Sequence, residues 1–168
     1  MYDELTEVDL KKMQEEIDYR IRELRPKLIE DVKTARAFGD LSENFEYKAA
    51  KQAKNRNDSR IRYLERMIKT AKLISTGDGE PDTVQLFDKV LIYIEEDDEE
   101  QEIQVVTTLR QNALEGLISK ESPVGSAVMG HKVGDRVKVT VNDSYSYYIV
   151  IRAITPGEDD ESMDISRY

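Results

Sequence analysis

The sequence predicts an α+β protein: an N-terminal antiparallel α-helical coiled-coil hairpin followed by a compact C-terminal α+β domain. Three observations carry that prediction. Apolar residues recur at steps of three or four through two long stretches before residue 75. A short break, Gly39-Asp40-Leu41-Ser42-Glu43-Asn44-Phe45-Glu46-Tyr47, separates the two stretches. Beyond residue 83 the periodicity shortens to β-rich runs.

The first arm opens at Thr6, with Asp9 three residues on in a capping-box position. Its seam runs through Leu10, Met13, Ile17, Ile21, Leu24, Leu28, Val32 and Ala35. Pro26 removes a backbone donor and crowds the preceding turn, so a kink is predicted there. The second seam follows as Ala50, Ala53, Asn57, Ile61, Leu64, Ile68 and Ala71. Two seams divided by so short a break fold back antiparallel. The small residues Ala35, Ala49, Ala50 and Ala53 let the arms approach near the turn. A helix over residues 6–37 would reach roughly 48 Å. The spans are therefore 1–75 for the hairpin, with an acidic tip at 39–47, and 76–83 for a Gly- and Pro-bearing linker.

The second domain covers 84–156. Its predicted strands are Val84–Phe87, Lys89–Ile94, Ile103–Leu109, Arg136–Val141 and Tyr145–Ile151. Ser122-Pro123 reads as the cap and first residue of a short helix ending at Gly130. Glu95 to Glu100 reads as a solvated hairpin turn, since it lacks the spaced Gly of a calcium loop. Residues 157–168 read as an acidic, mostly disordered tail.

Composition narrows the function. Charged residues make up 36%, well above the ~25% of an ordinary domain and suited to thin, solvated helices. With no Cys, disulfide frameworks and Cys-ligated zinc are excluded. No apolar run approaches the ~18 residues of a membrane span, and the acidic start is unlike a signal peptide, so a cytoplasmic protein is expected. The net charge of −10 is unevenly spread. Residues 1–75 carry 17 basic against 15 acidic groups, and residues 76–168 carry 8 against 20. Within Lys48–Lys72 there are nine basic residues and two acidic ones, Asp58 and Glu65. That run is either a solvated face or a track for a phosphate backbone, with Lys48, Lys51, Lys54 and Arg62 as its nucleic-acid-facing members.

The tip holds three carboxylates in seven residues: Asp40, Glu43 and Glu46. Two readings stand side by side. Asp40 and Glu43 have the spacing of a capping box for the second arm. They also supply half of a Mg²⁺ site, because Mg²⁺ is commonly held by one or two carboxylates plus phosphate and water. A partner would have to bring the rest. His131, the only histidine, follows a helix-ending Gly and reads as a surface or capping residue, so no Ser/His/Asp system is available. Tyr145, Tyr147 and Tyr148 read as strand-edge packing.

The stretch Ala35-Arg36-Ala37-Phe38-Gly39-Asp40-Leu41-Ser42-Glu43-Asn44-Phe45-Glu46-Tyr47-Lys48-Ala49-Ala50-Lys51, preceded by Arg25-Pro26, closely resembles the tip signature of the bacterial transcript cleavage factors GreA and GreB. Gly116-Leu117-Ile118-Ser119, Ser122 to Gly130 and Lys132 to Val137 resemble that family's C-terminal domain, which is FKBP-like. The resemblance covers roughly residues 6–154 and leans towards GreA. It implies a hairpin that enters the secondary channel of RNA polymerase and a C-terminal domain that docks at the channel rim. It further implies that Asp40 and Glu43 position a Mg²⁺ shared with the polymerase active site. The polymerase then cleaves the 3′ end of backtracked RNA, so the factor is not itself an enzyme but completes one in trans. Glu46 is secondary.

Phe45 stands where family members commonly carry a small residue. Two alternatives remain open. One is a channel regulator that inhibits the polymerase; the other is a non-catalytic chaperone or adaptor arm joined to a prolyl-isomerase-like domain.

Overall fold

A computed structural model of the chain describes residues 4–39, 44–77 and 79–165. They divide into two compact units: Leu10–Ala71, and residues 4–9 together with those from Lys72 onward. The boundary expected near residue 75 thus falls earlier, and the first residues of the chain join the second unit.

The first unit is the helical hairpin. Helix α1 (Glu7–Tyr19) passes through a π-helical turn, Arg20–Leu24, into α2 (Arg25–Arg36), and α3 (Phe45–Thr70) returns. The seam read from spacing is the buried one: Met13, Ile17, Ala35, Ile61 and Leu64 are sequestered. Pro26 does not break the arm. The turn before it widens, and the Arg25 N–H donates to Arg20 O, one residue further back than in an α-helix. This makes room for the proline ring at the start of α2. Asn57, a polar residue in an apolar seam, is explained by the same turn. Its Nδ2 donates to Arg20 O at 3.3 Å, and its Oδ1 accepts from the Arg20 guanidinium at 2.9 Å.

The second unit is built on a five-stranded sheet. Its strands are β3 (Lys89–Ile94), β4 (Glu99–Val106), β5 (Leu117–Ser119), β6 (Arg136–Thr140) and β7 (Ser146–Thr155), in the order β5-β4-β3-β7-β6. The β4–β5 pair is parallel and the other pairs are antiparallel. One face buries Val90, Ile92, Ile103, Val105, Val137, Val139, Ile149 and Ile151 as a single core with Val84 and Val128. Helix α4 (Pro123–Val128) contributes Val128 to it, capped by Ser122, whose hydroxyl accepts from the Gly125 N–H at 3.1 Å. Gly125 has no substitute there, since a Cβ would lie 2.0 Å from the Ser119 carbonyl oxygen. A small parallel pair, β1 (Glu4–Leu5) with β2 (Lys72–Leu73), completes the unit.

Two expectations need correction. Val84–Phe87 is not a strand. The Asp88 carboxylate accepts the Gln85 N–H at 3.0 Å, and Phe87 adopts φ +73°, so the segment turns and drops Val84 and Phe87 inward. The expected Ile103–Leu109 strand lies earlier, as β4, and Thr108–Arg110 is a 3₁₀ turn. Part of the acidic tail, residues 157–160, makes contacts with the second unit. Gly157 donates to Asp88 at 3.1 Å, and Asp159 and the Asp160 carbonyl both engage Arg110. A buried guanidinium with unfilled donor positions draws those residues in.

Candidate functional site

The free end of the hairpin is set by how its two arms stop and start. Helix α2 ends at Arg36; the Ala37 N–H reaches back to Lys33 O, and Gly39 takes φ +132°, open to glycine alone at little cost. Helix α3 starts at Phe45, and its cap is Asn44. The Asn44 Oδ1 accepts the Tyr47 N–H at 3.0 Å, while its Nδ2 donates across to Ala35 O at 2.6 Å. One side chain therefore starts the second arm and ties it to the first. The capping-box reading of Asp40 and Glu43 is overturned for this helix, because the cap is Asn44, four residues beyond Asp40. Asp40 and Glu43 themselves lie outside the described residues.

Around that end, the described side chains are aromatic and cationic. Phe38 and Phe45 are exposed. The Lys48 ammonium lies 5.6 Å from the Phe45 ring centroid, and the Arg36 guanidinium lies 6.0 Å from that of Tyr47. Glu46 is exposed in the first turn of α3, where it complements the helix dipole.

Down the arm the basic run separates into groups. Lys48 and Lys51 are exposed. Lys54 is paired with Asp58 at 3.3 Å, and Arg25 approaches the same carboxylate at 3.4 Å. Arg62 is exposed and donates to Ser59 Oγ at 3.1 Å. Arg60 turns inward instead, donating to Glu16 at 2.8 and 3.3 Å, while Arg20 donates to the same carboxylate at 2.8 Å. Burial would raise the Glu16 carboxyl, but the two guanidinium groups outweigh it and hold it below its ordinary value. The structure thus keeps Lys48, Lys51 and Arg62 as outward cations and engages Lys54 locally.

Elsewhere the sequence readings have plain positions. His131 is exposed, its Nδ1 3.2 Å from Asp135, which also accepts the Lys132 N–H at 3.0 Å. Those two contacts, the Lys132 N–H foremost, lower the Asp135 carboxyl. Residues 95–98 form the turn between β3 and β4. Tyr148 lies under the Arg136 guanidinium at 3.7 Å, and the Tyr145 hydroxyl meets Glu96. That carboxylate pushes the Tyr145 phenol up to about 12. Among the described residues, no three His, Asp or Glu side chains converge as a metal site.

Sequence reasoning missed Asn44 and Arg110. Asn44 was legible in principle: an Asn before a helical run is a favoured cap. Arg110 carried no local signal, since its partners lie at both ends of the chain.

Residues 4–73 match the family model described as transcription elongation factor, N-terminal (GreA/GreB), and residues 79–156 match the GreA/GreB C-terminal model. Transcription elongation factor GreA of Clostridium acetobutylicum is 38% identical over 147 residues, 88% of this chain and 93% of that protein. Transcription elongation factor GreA of Thermoanaerobacter pseudethanolicus is 43% identical over 137 residues, 82% of this chain and 87% of that protein. Among solved structures, GreA factor homolog 1 of Thermus thermophilus matches at 25% identity and a TM-score of 0.42, covering 93% of this chain and 100% of that one.

Proposed function

This chain belongs to the GreA/GreB family of transcription elongation factors, and from that premise we propose that its hairpin enters the secondary channel of RNA polymerase and stimulates cleavage of backtracked RNA. RNA polymerase is its partner. The observation that supports the cleavage reading is the Asn44 cap: an amide, and not the carboxylate of Asp40, caps α3.

In this reading Asp40 and Glu43 hold Mg²⁺ jointly with the polymerase active site. Two carboxylates fit a hard cation that keeps phosphate and water ligands, and this chain does not bind it stably alone. When bound, the ion polarises the phosphate and makes its water a better nucleophile. The chain's own residues do the placing. Asn44 fixes the base of the tip to both arms, and Glu46 adds negative charge beside it. Lys48, Lys51 and Arg62 face the RNA backbone, with Lys54 contributing less because Asp58 offsets its charge. The reaction remains the polymerase's own, hydrolysis at the 3′ end of extruded RNA, and the setting is the cytoplasm. The second unit docks at the rim of the channel.

The test is RNA cleavage in a defined backtracked elongation complex with Mg²⁺, comparing the protein with its Asp40→Ala/Glu43→Ala variant. The expected result is stimulated cleavage by the parent and none by the variant, with polymerase binding retained by both. Suppression of the polymerase's intrinsic cleavage by the parent would make it an inhibitory channel regulator. Equal loss of binding and cleavage in the variant would assign the acids a structural role.

A further inference from the structure

The chain has three phenylalanines, and they are used in opposite ways. Phe87 is fully buried, whereas Phe38 is 71% and Phe45 79% exposed. Phe38 follows the last residue of α2 by two positions, and Phe45 is the first residue of α3. Neither is needed by the fold at its position. The cap of α3 is made by Asn44 and Tyr47 backbone, and Ala is a better helix former than Phe. The contact between Lys48 and the Phe45 ring is solvent-exposed and correspondingly weak.

We propose that Phe45 is an aromatic clamp that stacks on an unpaired nucleobase of RNA, and that Lys48, beside its ring, takes the adjoining phosphate. This rests on the reading that the tip meets extruded RNA. A flat apolar ring beside an ammonium group matches the recurring chemistry of single-strand recognition, in which bases stack on aromatic planes and cations follow the backbone. The surface behind it has the complementary sign, since Lys48 and Lys51 are both outward. An apolar protein wall would be served by the ring alone and would gain nothing from the lysines. The brace from Asn44 to Ala35 makes the placement firm, because the Phe45 backbone starts one residue after it. The clamp positions the RNA; it takes no part in the bond-breaking step.

The test uses a backtracked elongation complex whose extruded 3′ base is the fluorescent adenine analogue aminopurine, read by fluorescence and, separately, by cleavage. The parent protein is expected to quench the base. Phe45→Ala is expected to abolish quenching and lower the maximal cleavage rate roughly tenfold, without changing the half-saturating concentration. Phe45→Trp should retain both. Because the ring is exposed, thermal melting of these variants should match the parent. Equal quenching by the parent and Phe45→Ala would overturn the clamp. So would loss of affinity alone, which would place the ring against polymerase. Cleavage without quenching overturns the clamp and leaves the cleavage function standing. Quenching without cleavage supports the clamp and overturns the cleavage function.

Discussion

Arg110 Nε donates to Asp9 Oδ1 at 2.6 Å, although the residues stand 101 positions apart and neither side chain is exposed. The other Asp9 oxygen accepts the Thr6 N–H at 3.1 Å, and the Asp9 N–H donates back to Thr6 Oγ1 at 3.3 Å. A capping box is thus also one half of a buried ion pair. The guanidinium reaches Thr6 Oγ1 at 3.2 Å and the Asp160 carbonyl at 3.3 Å, meets Asp159, and lies 5.0 Å from the Phe87 ring centroid.

Removing Asp9 strips the buried guanidinium of its fully buried carboxylate and leaves Asp159 alone to offset the charge. Asp9→Ala should therefore destabilise the second unit by about 1–3 kcal/mol in urea denaturation. Arg110→Lys should also destabilise it, although the charge is kept, because an ammonium cannot serve three directions in one plane. Ending the chain after Pro156 removes Asp159 and Asp160 and should cost about 1–3 kcal/mol. A stability unchanged by that truncation would show that the tail contact is idle.

Asn57 gives a second prediction. Its amide answers both the carbonyl and the guanidinium of Arg20 at the π turn. Asn57→Ala should lower hairpin stability by about 1–3 kcal/mol, since buried polar atoms lose partners. Asn57→Leu should fail to recover it despite fitting the apolar seam. Thermal unfolding followed by circular dichroism measures both.

Glu16 makes part of the hairpin's stability depend on pH. Its carboxyl is lower in the folded than in the unfolded state, despite burial, through Arg60 and Arg20. The folded state therefore binds that proton less tightly than the unfolded one. The contribution is full above the ordinary Glu value of 4.5 and fades as pH falls through the depressed one. Glu16→Gln should cost roughly 2 kcal/mol at neutral pH, and the gap to the parent should close in acid. A gap that stays constant with pH would mean that charge is not what joins these residues.

The basic run can be divided by experiment as the structure divides it. Reversing the exposed Lys48 and Lys51 to Glu should weaken action on long backtracked RNA and flatten its salt dependence. Lys54→Glu should act mainly on stability, by placing like charge beside Asp58, at about 0.5 kcal/mol. Cleavage assays across salt concentrations, with melting curves alongside, separate the two effects. Equal losses from both changes would mean that the whole face tracks the backbone.

What the sequence determined by itself was whatever repeats locally or caps locally. Steps of three and four fixed the buried seam from Met13 to Leu64. Thr6 with Asp9, and Ser122 with Pro123, announced their helix starts because a cap is a contact between near neighbours. The acidic turn at Asp40 and Glu43, and its likeness to one family, were also read directly. Tertiary structure decided what depends on distant partners. Pro26 could be absorbed by a π turn because Asn57, on the other arm, completes the hydrogen bonding there. Residues 4–9 and 159–160 belong with the second unit because a buried guanidinium at Arg110 needs several acceptors at once. Phe45 and Phe87 are the same residue type, and only packing left one in solvent and the other in the core.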